Sequence, residues 1–240
     1  MPSFIVYKMN LSLESVTEGQ LLLVDKPLGW TSFQAVNKLR WAFKRKHKLK
    51  KLKLGHAGTL DPLATGLLII GTGKMTKKIS EIQALEKTYT GVITLGATTP
   101  SYDLETAIDQ SYSIDHIEER LINTVKKTFE GEIDQYPPIF SAIKKEGKRL
   151  YEYARKGEKT IIEPRKVTIY SFDFTQINPP QLHFHIRCSK GTYIRSLAHD
   201  FGKALQSGGH LSQLRRIAIG SYSVENALTP DQIIEKLERL

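Results

Sequence analysis

The segment Gly55-His56-Ala57-Gly58-Thr59-Leu60-Asp61-Pro62-Leu63-Ala64-Thr65-Gly66 runs directly into the apolar stretch Leu67–Ile70, and it constrains the chain more than any other. Three glycines and a proline surround a single acidic residue. Glycines at this density point to backbone conformations, or close approaches of another chain segment, that a side chain would block. An isolated Asp-Pro has a simpler reading as a helix start, since Asp is a good N-cap and Pro suits the first helical position. A plain helix start does not need so much sculpting. His56 sits beside the same turn. No acidic residue occurs between Asp25 and Asp61, so this carboxylate closes a long basic segment.

That basic segment holds Lys38, Arg40, Lys44, Arg45, Lys46, Lys48, Lys50, Lys51 and Lys53, with Trp41 and Phe43 interleaved. It is read either as a solvated helix end and loop or as a track for a phosphate backbone, and the neighbouring Asp61 favours the second. The formal charge of +10, from 35 basic and 25 acidic residues, also favours a polyanionic partner. The lone Cys188 excludes an intramolecular disulfide and a cysteine-based zinc cluster, and fits a reducing compartment. No apolar run reaches the length of a membrane span, and Met1–Asn10 lacks the order of a signal peptide. The expected compartment is the cytoplasm.

Gln20–Asp25 reads as a short buried strand. Thr31 and Gln34 have capping-box spacing, and Phe33, Val36, Leu39 and Phe43 recur as on one buried helix face. Strands are expected at Leu67–Gly71, Thr88–Leu95, Val167–Phe174 and Gln181–Cys188, and helices at Lys74–Leu85 and Ile194–Leu205. Asp115 is expected to open a helix lined by Ile117, Leu121, Val125 and Phe129 and closed by Gly131. Thr229-Pro230 with Gln232 starts a final helix. Helices and strands are interspersed without a regular βαβ period. The expected class is therefore α+β with a mixed, mainly antiparallel sheet and flanking helices. The polar, aromatic and basic stretch Tyr136–Gly157 reads as an excursion from the core that contacts a ligand, or as a loop leading into an amphipathic helix.

Two further places carry chemistry. Cys188–Arg195 leaves a predicted strand and opens a predicted helix, a junction whose backbone N–H groups can hold an anion. Arg195 then lies in the first turn. It is either a surface arginine or the partner that keeps a buried Asp61 charged. Tyr89, on a predicted strand, is a core tyrosine or a ring that stacks on a base and exchanges a proton. Gly71-Thr72-Gly73-Lys74 matches only the end of a phosphate loop, because Met75 stands where Ser or Thr is needed. His183 and His185 would share a strand face that Cys188 does not, so no metal site is expected.

Taken in order, Leu23–Gly29, Gly55–Ile70, Lys87-Thr88-Tyr89, Tyr136–Gly157, Cys188–Arg195, Gly209-His210-Leu211 and Leu214-Arg215-Arg216 resemble the TruB family of bacterial tRNA pseudouridine synthases over most of Gln20–Ser223. The resemblance implies a pseudouridine-synthase sheet core and conversion of uridine-55 in the T loop of tRNA to pseudouridine, without cofactor or metal. By motif match it makes Asp61 the catalytic carboxylate. Tyr89 would stack on the uracil, and Arg195 would pair with the aspartate. His56, Tyr193 and Leu214 would contact RNA or shape the pocket, while Lys26 and Pro27 support the site. The implied partner is the tRNA T-arm stem-loop, with no membrane and no obligatory protein partner, and the chain is expected to be a monomer. A single catalytic domain over residues 1–240 is expected, with a thumb-like insertion at about 130–160. Many members carry a further C-terminal RNA-binding module, often PUA-like, and none is expected here after the helix from Pro230. The alternative is a non-catalytic tRNA binder or folding chaperone on the same scaffold.

Overall fold

The computed structural model describes residues 9–145, 147–158 and 160–240. The reading of Met1–Asn10 therefore lies almost wholly outside the described residues. In chain order the elements are α1 (Leu13–Glu18), β1 (Leu21–Lys26), α2 (Ser32–Lys46), β2 (Leu54–His56), β3 (Ala64–Thr72), α3 (Ile79–Ala84), β4 (Lys87–Leu95), β5 (Ala97–Thr98) and β6 (Gln110–Ser111). There follow α4 (Glu119–Lys126), β7 (Gly131–Gln135), β8 (Lys144–Lys145), β9 (Lys148–Arg149), α5 (Leu150–Lys156), β10 (Arg165–Asn178), β11 (Gln181–Cys188), α6 (Ile194–Ala204), β12 (Gly209–Ile219), β13 (Tyr222–Ser223) and α7 (Pro230–Glu238). The class is α+β, with strands paired mainly antiparallel, as the interspersed pattern implies. Among the described residues no helix is long and apolar enough to cross a membrane.

The chain divides into two compact units. The first takes residues up to Tyr89 together with Leu214–Leu240, and the second takes Thr90–Gln213. In the first unit, β1 lies antiparallel to β3, from Leu21 opposite Gly71 to Lys26 opposite Gly66. β3 also pairs with β2 and, in parallel, with the end of β12. Leu21, Leu23, Leu67 and Ile69 join a core with Ala57, Ile82 and Ile219. Leu22, Val24, Leu68 and Ile70, on the alternate positions, are equally buried. Burial on both faces is why these strands read as continuous apolar runs rather than alternating ones.

Thr31 caps α2 through the full capping box with Gln34, and Thr229 with Gln232 does the same for α7. The buried face of α2 is Ala35, Val36, Leu39, Ala42 and Phe43. Phe33, expected on that face, is instead 65% exposed. It precedes Val36 by 300° of rotation on the helix and falls at the margin of the apolar stripe, where the stripe has no neighbour to cover it.

In the second unit, β11 pairs antiparallel with β10, and β10 with β7. Phe172 and Phe174 of β10 pack on Phe201 of α6 with ring centroids 5.5 and 5.4 Å apart, and Phe129 meets the same ring at 5.5 Å. The expected helix at Asp115 starts later. Ser113 Oγ donates to the Asp115 carboxylate and accepts from the Asp115 N–H, and this local turn displaces the helix start to Glu119. Gly131 does not close that helix but opens β7, with φ +88°. The expected helix over Lys74–Leu85 is a 3₁₀ stretch, Gly73–Lys78, followed by α3.

Gly66 and Gly131 both have positive φ, but only Gly66 faces a wall. A Cβ there would collide with the backbone of Arg216, while at Gly131 nothing lies within 4 Å. Gly66→Ala should cost about 3 kcal/mol of stability, the sum of left-handed strain and overpacking, and Gly131→Ala only about 1 kcal/mol. Chemical denaturation of the two variants checks this, and equal losses would contradict it.

Candidate active site

Asp61-Pro62 does not start a helix. The residues form a turn in which the Ala64 N–H donates to the Asp61 carbonyl at 3.1 Å, and the chain enters β3 directly. Pro at the second position of such a turn supplies the φ it needs. His56 ends β2 opposite Ile70, and the Ala57 N–H donates to the Ile69 carbonyl at 2.8 Å, so the hairpin delivers the loop 57–63 at a fixed register. On the other flank, Ser32 Oγ donates to the Leu60 carbonyl and accepts from the Leu60 N–H, at 3.1 and 2.8 Å. Of the three glycines, Gly58 and Gly66 hold positive φ, at +95° and +99°. Gly55 has an ordinary φ and instead admits the Ile79 side chain.

Two buried cations hold this turn. Lys26 is fully buried at the end of β1, and its Nζ donates to the carbonyls of Pro27, Trp30 and Pro62 at 2.9, 2.6 and 3.4 Å. Three ammonium protons meet three carbonyls. Arg216, only 2% exposed, donates from Nε to the Leu67 carbonyl at 2.8 Å and from Nη2 to the Gly58 carbonyl at 3.0 Å. Its guanidinium thus ties together residues on either side of Asp61. Its own backbone lies opposite Gly66 in the parallel pairing of β12 with β3, which also sets Leu214 opposite Ala64. Beside it, Arg215 makes a two-pronged ion pair with Asp25, at 3.0 and 2.7 Å.

The electrostatics follow from this packing. Burial lowers the Lys26 pKa to about 8, with Asp61 opposing the shift and Arg216 adding to it. His56 is pushed down by burial and then by the Arg216 charge, against a raising hydrogen bond to the Gly58 backbone. The first unit therefore gathers Lys26, His56, Asp61 and Leu214 around one turn. Pro27 follows Lys26 at the strand end. Tyr89 is buried in β4. The sequence marks Arg216 only as part of the Leu214-Arg215-Arg216 match and gives it no role, because a charged residue at an inward strand position gives no apolar alternation to detect.

The second unit holds Tyr193 and Arg195. Tyr193 caps α6, and its N–H and carbonyl both bond to the side-chain amide of Gln135, at 2.7 and 3.0 Å. The guanidinium of Arg165 covers its ring at 4.4 Å. Arg195 is buried, not a surface residue. Nη1 and Nη2 donate to the carbonyls of Ser101 and Phe140 at 3.1 and 3.0 Å, and Nε lies 3.6 Å from the buried Asp103 carboxylate. Ser196 Oγ donates to the Tyr136 carbonyl at 2.7 Å. The start of α6 thus anchors the base of the Tyr136–Gly157 excursion, which consists of the pair β8–β9 followed by α5. Asp103 was also missed, since a lone Asp in a polar loop carries no sequence signature.

The basic segment is less uniform than its sequence. α7 packs on α2 and brings acids to it. Lys38 pairs with Asp231 at 2.6 Å, Arg45 with the Glu238 carboxylate, and Lys46 donates to the Glu238 carbonyl at 3.2 Å.

Comparison with known proteins agrees with this architecture. Residues 44–194 match the model of the TruB family pseudouridylate synthase N-terminal domain, and residues 195–239 match that of the tRNA pseudouridylate synthase B C-terminal domain. The chain belongs to the TruB family of pseudouridylate synthases, which are isomerases. It is 62% identical to tRNA pseudouridine synthase B of Flavobacterium johnsoniae over 94% of this chain and 99% of that one, and 50% identical to tRNA pseudouridine synthase B of Bacteroides fragilis over 92% and 95%. Among solved structures it is similar to a chain of a Cbf5-Nop10-Gar1 complex, with a TM-score of 0.68 and 29% identity over 92% of this chain. It spans about half of that longer chain, 54%.

The lowered Lys26 pKa has a stability signature. Below about pH 8 the residue is charged in both folded and unfolded chains, and the cost of its burial is fully present. Between about 8 and 10.5 the unfolded chain keeps a proton that the folded one has lost, so this group's contribution makes stability rise with pH. Urea denaturation of wild type and Lys26→Met across this range should show the rise in the wild type and its loss in the variant. Identical pH slopes would contradict the shift.

Proposed function

We propose that this protein isomerises uridine-55 in the T loop of tRNA to pseudouridine, with Asp61 as the catalytic carboxylate and without a cofactor. The observation that carries the reading is the Asp61 turn, whose backbone is fixed from both flanks by buried cations while the Asp61 residue itself remains partly exposed. A carboxylate held this way meets its substrate without reorganising first. The relatives' shared naming as tRNA pseudouridine synthase B supports the substrate class.

In the reaction the N1–C1′ bond breaks, the uracil turns, and a C5–C1′ bond forms. The C5 proton leaves and N1 gains one, so no oxidant, reductant or phosphate is consumed. Asp61 supplies the nucleophile or base. Tyr89 provides a ring to stack on the uracil and a phenol for the proton step. His56, Tyr193 and Leu214 shape the binding surface. Lys26, Pro27 and Arg195 support it. The target base must leave its stack at a cost of a few kcal/mol. Lysines of Lys44–Lys53 along the phosphate backbone, and the excursion at about 130–160 acting as a thumb on the RNA loop, offset that cost. The protein is read as a single catalytic domain acting as a cytoplasmic monomer.

Incubation of a synthetic T-arm stem-loop with the protein, followed by mapping of modified uridines, should give pseudouridine at one position. Asp61→Asn should lower the yield by at least about a thousandfold while RNA affinity stays within a few-fold. Wild-type binding without turnover would leave the folding-chaperone alternative in its place.

A further inference from the structure

α2 has an outward stripe that the packing of the first unit does not use. At 100° per residue, the buried positions Ala35, Val36, Leu39, Ala42 and Phe43 occupy one side of the helix, Phe33 lies at its margin, and Asn37, Trp41 and Lys44 continue from Phe33 onto the outward side, with Lys48 two residues beyond the helix end. Phe33 and Trp41 are 65% and 61% exposed. They stand eight residues apart, about 12 Å along the axis at 1.5 Å per residue. Single exposed apolar residues are ordinary. Two large rings on one helix face, bordered by cations, are not. Arg45 lies over the Trp41 ring at 4.5 Å, and Lys38 over the Trp30 ring at 4.8 Å. Asp231 and Glu238 of α7 hold these two cations at the edge of the stripe. The sequence then continues through Lys50, Lys51 and Lys53, with no acid before Asp61.

We propose that this face of α2 is an RNA-docking surface on which Phe33 and Trp41 stack unpaired bases while Lys44 and Lys48 follow the phosphates. The occupant is chosen by charge. A protein surface of matching apolar character would not call for a run of lysines, whereas a single strand presents flat π-faces and a regular array of anions together. α2 leads through its basic end and β2 into the Asp61 turn, so RNA held on this face belongs to the same substrate. The inference rests on the proposed function for the identity of the RNA.

The test is equilibrium binding of a synthetic T-arm stem-loop to the full chain. Phe33→Ala and Trp41→Ala should each raise Kd at least about fivefold, because a stacked ring contributes on that scale. They should leave the slope of log K against log salt unchanged, since rings release no counterions. Lys44→Gln with Lys48→Gln should instead reduce that slope by about 1.5, from about 0.7 to 0.9 per phosphate contact. In a Trp30→Phe background, the fluorescence of Trp41 should be quenched on RNA addition. Unaltered Kd in both ring variants overturns the proposal. So does a ring variant that lowers the molecular mass in sedimentation without changing RNA affinity, because the stripe is then a contact between copies. These outcomes are separable from failure of the proposed function, which is read from wild-type turnover alone.

Discussion

The buried guanidinium of Arg216 is the constraint on which the candidate site depends. Taking such a charge out of water costs several kcal/mol unless its donors are satisfied. Here they are directed at the carbonyls of Gly58 and Leu67, one before and one after Asp61. The same residue's backbone presses on Gly66, where only glycine leaves room. Lys26 completes the arrangement through the Pro62 carbonyl. A turn that would otherwise be a flexible loop is thereby fixed at four points, and the charge of Lys26 is felt by its carboxylate. Preorganisation of this kind is worth more to a reaction than a stronger but mobile group.

The second unit solves a related problem with one helix end. The start of α6 has unsatisfied backbone donors and side chains that face inward. Gln135, the Arg195 guanidinium and the Ser196 hydroxyl together fix the backbone of Ser101, Tyr136, Phe140 and Tyr193. The polar excursion between Tyr136 and Gly157 is therefore rooted on a rigid element. The buried contact of Arg195 with Asp103 gives the loop before it a reason to keep an acid inside.

Much of this was legible in the sequence where hydrophobic burial dictates local structure. β1, β3, β4, β11, α6 and both capping boxes follow from apolar runs and cap residues, and Leu21, Leu23, Leu67 and Ile69 of the first unit's core lie in those runs. The glycine-rich turn was recognisable as constrained, but its form was not. An Asp-Pro pair is compatible with a helix start and with a turn, and the choice is made by the strand that follows. β12 escaped because its inward position carries Arg216, whose burial is permitted only by carbonyls from distant segments. The neutralising role of α7 was invisible for the same reason: Asp231 and Glu238 reach α2 from nearly two hundred residues away. Phe33 was misplaced because the margin of a helical stripe is decided by what packs against it.

Arg216, through two hydrogen bonds, fixes the turn that presents Asp61. Replacement by lysine keeps the charge but removes the planar fork that reaches both carbonyls. The most direct measurement is the single-turnover rate of pseudouridine formation by Arg216→Lys on a T-arm stem-loop. The rate should fall about a hundredfold, as for a misplacement of about 1 Å, with stem-loop affinity within about threefold of the wild type. A wild-type rate from that variant would show that the turn holds its carboxylate without the clamp.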